Sequence, residues 1–306
     1  MRRWPLGAST FIWTSPFGND CLDLIDKAVG LGFELIEICI ENPTTIDTGR
    51  ISRRLEQAGI GATVCGAFGP GRDVSSTDPA IRAAGVDYIA TCVRVATELG
   101  SPLVAGPMYS ATGKTALLPP AERRQQWAWG VENLQRAGDI AAAAGIRLAI
   151  EPLNRFETDF LNTVAQANTF VDAIGRDNVG LLLDTFHMNI EEHSVPDAIR
   201  AAGKRVFHFH ACANDRGTPG KDHLPWPQIA MALDDIAYRG PWVIESFTPT
   251  ITEIARAVSL WRPLAESQDR LAGDGLAFLD RLQIDHRPQH GRSDPRTAGD
   301  SPATSS

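Results

Sequence analysis

The sequence predicts an α/β fold of one kind, a single (β/α)8 TIM barrel. Three observations lead there. Short apolar runs alternate with longer amphipathic stretches along almost all of the 306 residues. A glycine closes most amphipathic stretches just before the next apolar run, and several apolar runs end on a carboxylate or an imidazole.

The strand candidates, in order, are WPLGAS from Trp4, FELIEICI from Phe33, IGATVCGA from Ile60, PLVAGP from Pro102, IRLAIEP from Ile146, VGLLLD from Val179, RVFHFHA from Arg205 and PWVIES from Pro241. Each is short and rich in Val, Ile, Leu or Phe, as a strand of a parallel sheet buried on both faces must be. Helical periodicity fills the intervals, as in CLDLIDKAVGLG, DYIATCVRVATELG and WAWGVENLQRAGDIAAAAG. Gly32, Gly59, Gly100, Gly145, Gly175, Gly203 and Gly240 stand where these helices have to stop. Glycine takes the left-handed conformation that ends a helix, so each marks a helix-to-strand junction.

A closed barrel uses all these units and leaves no sheet edge exposed. An open doubly wound sheet is the other arrangement, but no GxGxxG turn follows the first strand. Residues 1–285 therefore read as one barrel domain. Residues 286–306, HRPQHGRSDPRTAGDSPATSS, have little to bury and read as a disordered tail.

Hydrophobic residues make up 43% of the chain and charged residues 22%, ample for a core. A net charge of −8 disfavours nucleic-acid binding, which draws its affinity from clustered Lys and Arg. There is no long apolar run of membrane-spanning length, and MRRWPLGAST has no apolar signal core, so no membrane partner and a cytoplasmic location are expected. Cys21, Cys39, Cys65, Cys92 and Cys212 contain no CxxC pair and read as reduced, mostly buried thiols.

Four polar residues end the fifth to eighth strand candidates: Glu151 in LAIEP, Asp184 in LLLDTFH, His210 in FHFHA and Glu245 in WVIES. The C-terminal ends of barrel strands converge on one mouth, where barrel active sites are built. Three carboxylates gathered there would raise each other's pKa, and a divalent cation relieves that conflict. Three oxygens and one imidazole suit Mn²⁺, with Co²⁺ and Mg²⁺ as alternatives. Unrelated salt bridges capping the barrel are the competing explanation. Glu157, His187 and Arg216 follow three of these strands by three to six residues and would stand around the same mouth. His208, two residues before His210, points to the same face one layer deeper.

The stretches IEPLNRFETDFLNT, LLLDTFHMNIEEHSVPDAI, FHFHACANDRGTPGKDHLPW, VIESF and GPMYSATGK resemble the D-tagatose 3-epimerase and D-allulose (psicose) 3-epimerase family, within the sugar-phosphate isomerase/epimerase, or xylose isomerase-like TIM barrel, superfamily. The resemblance runs from about Trp4 to Asp285. It implies that Glu151, Asp184, His210 and Glu245 hold the metal, with Glu151 and Glu245 also the acid/base pair. Glu157, His187 and Arg216 would hold the O1 and O2 end of a free ketose of the D-tagatose, D-fructose/D-allulose or L-ribulose type. Apolar contacts further along the sugar have Leu6, Trp13 and Cys65 as candidates, and a homodimer or homotetramer is implied. Ala213 is a departure, standing where members often carry Glu, and bears on how Arg216 is held.

The same ligands would also serve an aldose–ketose isomerase or an inosose dehydratase of the superfamily, since fold and metal do not fix the reaction. An endonuclease of the related barrels should gather more histidines and a basic face. A non-catalytic sugar-binding protein would have no need of paired carboxylates.

Overall fold

In the computed structural model, which describes residues 3–285, eight parallel strands close into a barrel in the order β1 to β8. They are β1 (Leu6–Ser9), β2 (Leu35–Ile40), β3 (Gly61–Gly66), β4 (Leu103–Gly106), β5 (Arg147–Ile150), β6 (Val179–Asp184), β7 (Val206–His210) and β8 (Trp242–Ile244). Each falls within one of the eight apolar runs. The expected tail, 286–306, lies outside the described residues.

Helices α1 (Asp23–Leu31), α2 (Thr48–Ala58), α3 (Pro79–Leu99), α4 (Pro120–Ala143) and α5 (Val164–Ile174) follow the first five strands. Short helix α6 (Thr185–Glu191) leaves β6 directly, before α7 (Val195–Ala202); α8 (Trp226–Asp235), α9 (Thr252–Ala257) and α10 (Gln268–Asp285) complete the set. No helix among the described residues is long and apolar enough to cross a membrane.

Six of the seven junction glycines have the expected positive φ, from 58° at Gly203 to 97° at Gly32. Gly240 does not; Ala237, just past α8, takes the left-handed turn instead, at φ 55°. A side chain on Gly240 would run into the Tyr238 ring, so close packing accounts for that glycine.

The seam between β1 and β8 is closed from below. Trp4 stacks on Trp242 with ring centroids 4.8 Å apart, and its indole N–H donates to the Tyr238 carbonyl at 2.9 Å. Buried Gln283 of α10 accepts from the backbone N–H groups of Arg3 and Trp4 and donates to the Trp4 carbonyl. The last helix is thereby tied to the first strand, a contact between residues 279 apart in sequence.

One strand end bears directly on the barrel mouth. Gly106 closes β4 at φ 126°, and a Cβ there would meet the Gly66 carbonyl oxygen at 2.7 Å. Its own carbonyl accepts from the Glu151 backbone N–H at 3.1 Å. Gly106→Ala should therefore lose about 1–3 kcal/mol of stability to backbone strain and displace Glu151. A urea midpoint and an activity equal to those of the wild type would contradict this.

Candidate active site

The four strand-end residues do meet. Ligand atoms of Glu151, Asp184, His210 and Glu245 all lie within 4.8 Å of one another, and all four residues are buried. His210 Nδ1 is the centre: it stands 3.5 Å from Asp184 Oδ2, 3.6 Å from Glu245 Oε1 and 4.0 Å from Glu151 Oε1. It has no hydrogen-bond partner of acceptable geometry although it is buried.

Local structure aims each group. Asp184 ends β6 and caps α6: its Oδ1 accepts from the backbone N–H of Phe186 at 2.6 Å and of His187 at 3.4 Å. That leaves Oδ2 for His210 and for the Cys212 thiol, which donates to it at 3.0 Å. Burial, with the charges of Asp184 and Glu245, pushes the Cys212 thiol well above its ordinary value, so it acts as a donor.

Electrostatics divides the carboxylates. Burial drives Glu151 well above the usual carboxylate range, and the charges of Glu245 and Asp184 add to it. Burial likewise raises Glu245. Burial works the same way on Asp184, but His210 beside it, with His187 and the hydrogen bond from Cys212, outweighs it and holds the group well below its ordinary value. Burial disfavours an imidazolium at His210, yet Glu37 and Glu245 outweigh it and raise that pKa well above normal. This donor set favours positive charge at His210 Nδ1, and an orphaned nitrogen ringed by three carboxylates fits a divalent cation.

Glu37 was missed from the sequence. It is wholly buried in β2 and accepts from His208 Nε2 at 2.7 Å and from His210 Nε2 at 2.9 Å. The available signal was a carboxylate inside the apolar run FELIEICI. His208 lies one layer below His210, facing Glu37 rather than the other carboxylates.

The loop residues also converge. Glu157 Oε1 accepts from Arg216 Nη2 at 3.1 Å and from Asn154 Nδ2 at 2.9 Å. The His187 ring accepts the Asn154 backbone N–H on Nδ1 at 3.0 Å, and burial lowers its pKa to about 4. A neutral ring so held carries its hydrogen on Nε2, 3.8 Å from Glu151 and 3.3 Å from Arg216 Nη2. Two donors thus lie side by side, and one acceptor placed beside both would serve them.

Arg216 has φ 63°, outside the range most side chains adopt. Its backbone N–H closes a turn onto the Ala213 carbonyl at 2.9 Å, and Ser246 Oγ donates to its carbonyl at 2.6 Å. The guanidinium lies 4.2 Å and 4.8 Å from the ring centroids of Phe186 and Phe247. Two aromatic faces and Glu157 hold it, with Ala213 supplying only the turn. Its Nε and Nη1 remain buried and unpaired.

A cleft of about 680 Å³ opens above these groups, lined by Glu151, Glu157, His187, Arg216, Glu245 and apolar side chains including Phe68 and Phe247. Of the three apolar candidates only Cys65 lines it. Leu6 is packed wholly inside β1, and the Trp13 indole is turned to donate to Asp269 at 2.7 Å.

Residues 25–282 match the family model described as xylose isomerase-like TIM barrel. The D-psicose 3-epimerase of Agrobacterium fabrum is 36% identical over 276 residues, covering 87% of this chain and 93% of that protein. The chain belongs to this barrel family, among its ketose 3-epimerases. Its class is accordingly that of the isomerases. A probable ketose 3-epimerase of Synechocystis is 35% identical over 89% of this chain and 94% of its own length. The crystal structure of D-allulose 3-epimerase from Methylomonas sp. in complex with D-allulose superposes with a TM-score of 0.85 at 32% identity, covering 92% of this chain and 98% of that one.

Proposed function

We propose that this chain interconverts the C3 epimers of a free, unphosphorylated ketose. The observation that carries the reading is the pair Glu151 and Glu245, which bring two carboxylates from non-neighbouring strand ends, after β5 and β8, to one buried cluster below the cleft. Epimerisation needs a base on one face of the carbon and an acid on the other, because the proton has to return to the opposite side. Both are carboxylates, able to take a proton in one direction and give one in the other.

Glu151, Asp184, His210 and Glu245 would hold the cation, Mn²⁺ in preference to Co²⁺ or Mg²⁺. Such an ion supplies electrostatic stabilisation for the negative charge that develops on the sugar oxygens when the C3 proton leaves. One glutamate takes that proton and the other returns one to the far face. Arg216 Nε and Nη1 and the His187 Nε2–H are the donors for the O1 and O2 end of the sugar, and Glu157 holds Arg216 in place.

Among the residues lining the cleft Arg216 is the one permanent cation, against Glu41, Glu151, Glu157 and Glu245. That balance opposes a phosphate, which wants several donors and positive charge. D-tagatose, D-fructose or L-ribulose incubated with the enzyme in D₂O should gain deuterium at C3 as the 3-epimer accumulates. Label confined to C1 or C2, with an aldose as main product, would instead make the enzyme an isomerase.

Arg216→Lys removes the planar fork and leaves one point charge. The loss should be about 1.5–3 kcal/mol of transition-state binding, read as a fall in kcat/KM of roughly tenfold or more with a raised KM. Unchanged kcat/KM would remove Arg216 from the substrate site.

A further inference from the structure

A neutral imidazole offers a lone pair from one nitrogen, and its other nitrogen is an N–H donor that needs an acceptor when buried. In His210, which is wholly buried, Nδ1 is the nitrogen turned toward the three carboxylates. Nε2 points the other way, 2.9 Å from Glu37 Oε1. An ionised carboxylate only accepts, so this contact keeps a ring hydrogen on Nε2 and leaves Nδ1 as the nitrogen whose proton a cation would replace. The opposite tautomer would set a nitrogen lone pair against a carboxylate oxygen at hydrogen-bond distance.

Glu37 is itself held from two sides. Its Oε2 accepts from His208 Nε2 at 2.7 Å and from Thr63 Oγ1 at 3.1 Å. Glu37 belongs to β2, Thr63 to β3 and both histidines to β7, so the three hydrogen bonds span the barrel interior. Glu37 and His208 are wholly buried, none of the three lines the cleft, and a substrate does not reach them.

Ligand atoms of Glu37, His208 and His210 also lie within 4.8 Å of one another, which raises the alternative of a second ion. The separations of 2.7 and 2.9 Å are those of N–H···O bonds, with the hydrogen between the heavy atoms. An ion there would displace the hydrogen that orients His210.

We propose that Glu37 is a positioning residue for the metal centre: by accepting from Nε2 it sets the tautomer and ring direction of His210, while Thr63 and His208 hold its carboxylate. This rests on the reading that Glu151, Asp184, His210 and Glu245 bind a cation. Partners of this kind alter metal affinity about 10–100-fold when removed.

The test is Mn²⁺ titration of the full-length chain, with free ion followed by electron paramagnetic resonance, for wild type, Glu37→Gln, Glu37→Asp and Thr63→Val. Wild type should bind one Mn²⁺ per chain. Glu37→Gln, whose amide cannot accept from both rings through two oxygens, should raise the dissociation constant about 10–100-fold, and Glu37→Asp should recover part of it. Thr63→Val deletes a single bond to Glu37 and should weaken binding several-fold; it decides the matter if Glu37→Gln fails to fold. A lower melting temperature of the metal-free variants with an unchanged Mn²⁺ dissociation constant overturns the proposal and leaves the four-residue site standing. Two Mn²⁺ per wild-type chain, with only the second lost in Glu37→Gln, overturns it in favour of a second ion. No Mn²⁺ bound by wild type sinks the cation reading and this proposal with it.

Discussion

Glu245→Gln and Glu151→Gln should each lower epimerisation by about 10²–10⁴-fold, the usual contribution of a positioned acid or base. An amide neither accepts the C3 proton nor returns one. Both residues stand close to His210 Nδ1, so each variant is to be assayed at saturating Mn²⁺ to separate lost chemistry from lost metal. The two variants should also differ from an enzyme without a site. With one carboxylate left, the C3 hydrogen of one epimer should still exchange with D₂O while conversion to the other stops, because the remaining base serves its own face. Proton NMR of each sugar distinguishes the cases. Full epimerisation by Glu245→Gln would falsify the two-carboxylate mechanism while leaving the barrel and its charged cluster untouched.

Removal of divalent metal should take turnover to background, and Mn²⁺ or Co²⁺ should restore it. Three buried carboxylates around one imidazole repel each other, and desolvation adds to the cost of ionising them. An ion that binds only the folded chain also stabilises it by mass action, about 2.7 kcal/mol at a hundredfold excess over its dissociation constant. The melting temperature should therefore rise with added Mn²⁺ alongside activity. Chelator-treated protein shown by elemental analysis to be free of metal, yet turning over at the wild-type rate, would end the cation reading.

Much of this was legible in the chain itself. Strands buried on both faces spell continuous apolar runs, and β6 and β7 end on their charged or imidazole residue, with Glu151 and Glu245 one position past β5 and β8. That coincidence of pattern is enough to put Glu151, Asp184, His210 and Glu245 at one mouth, where their ligand atoms gather. Helix α6 was less visible, because a short helix launched directly from β6 presents too few turns for periodicity to register. The left turn at Ala237 was hidden for another reason: alanine carries no signal for positive φ, and the neighbouring glycine drew the reading to itself.

The sequence alone determined the fold class, the count and order of strands, and the residue types available at the mouth, since all three follow from local periodicity and from which residue ends each run. Tertiary structure decided what each side chain faces. Only closure of the barrel brings Glu37 of β2 against His208 and His210 of β7, 171 and 173 residues later, and so turns one nitrogen of His210 toward three carboxylates. Only the approach of the Phe186 and Phe247 rings explains how Arg216 is held beside Ala213, and only side-chain direction removes Leu6 and Trp13 from the cleft. These are contacts across the fold. Their distances depend on how helices and strands distant in sequence pack, which no window of neighbouring residues encodes.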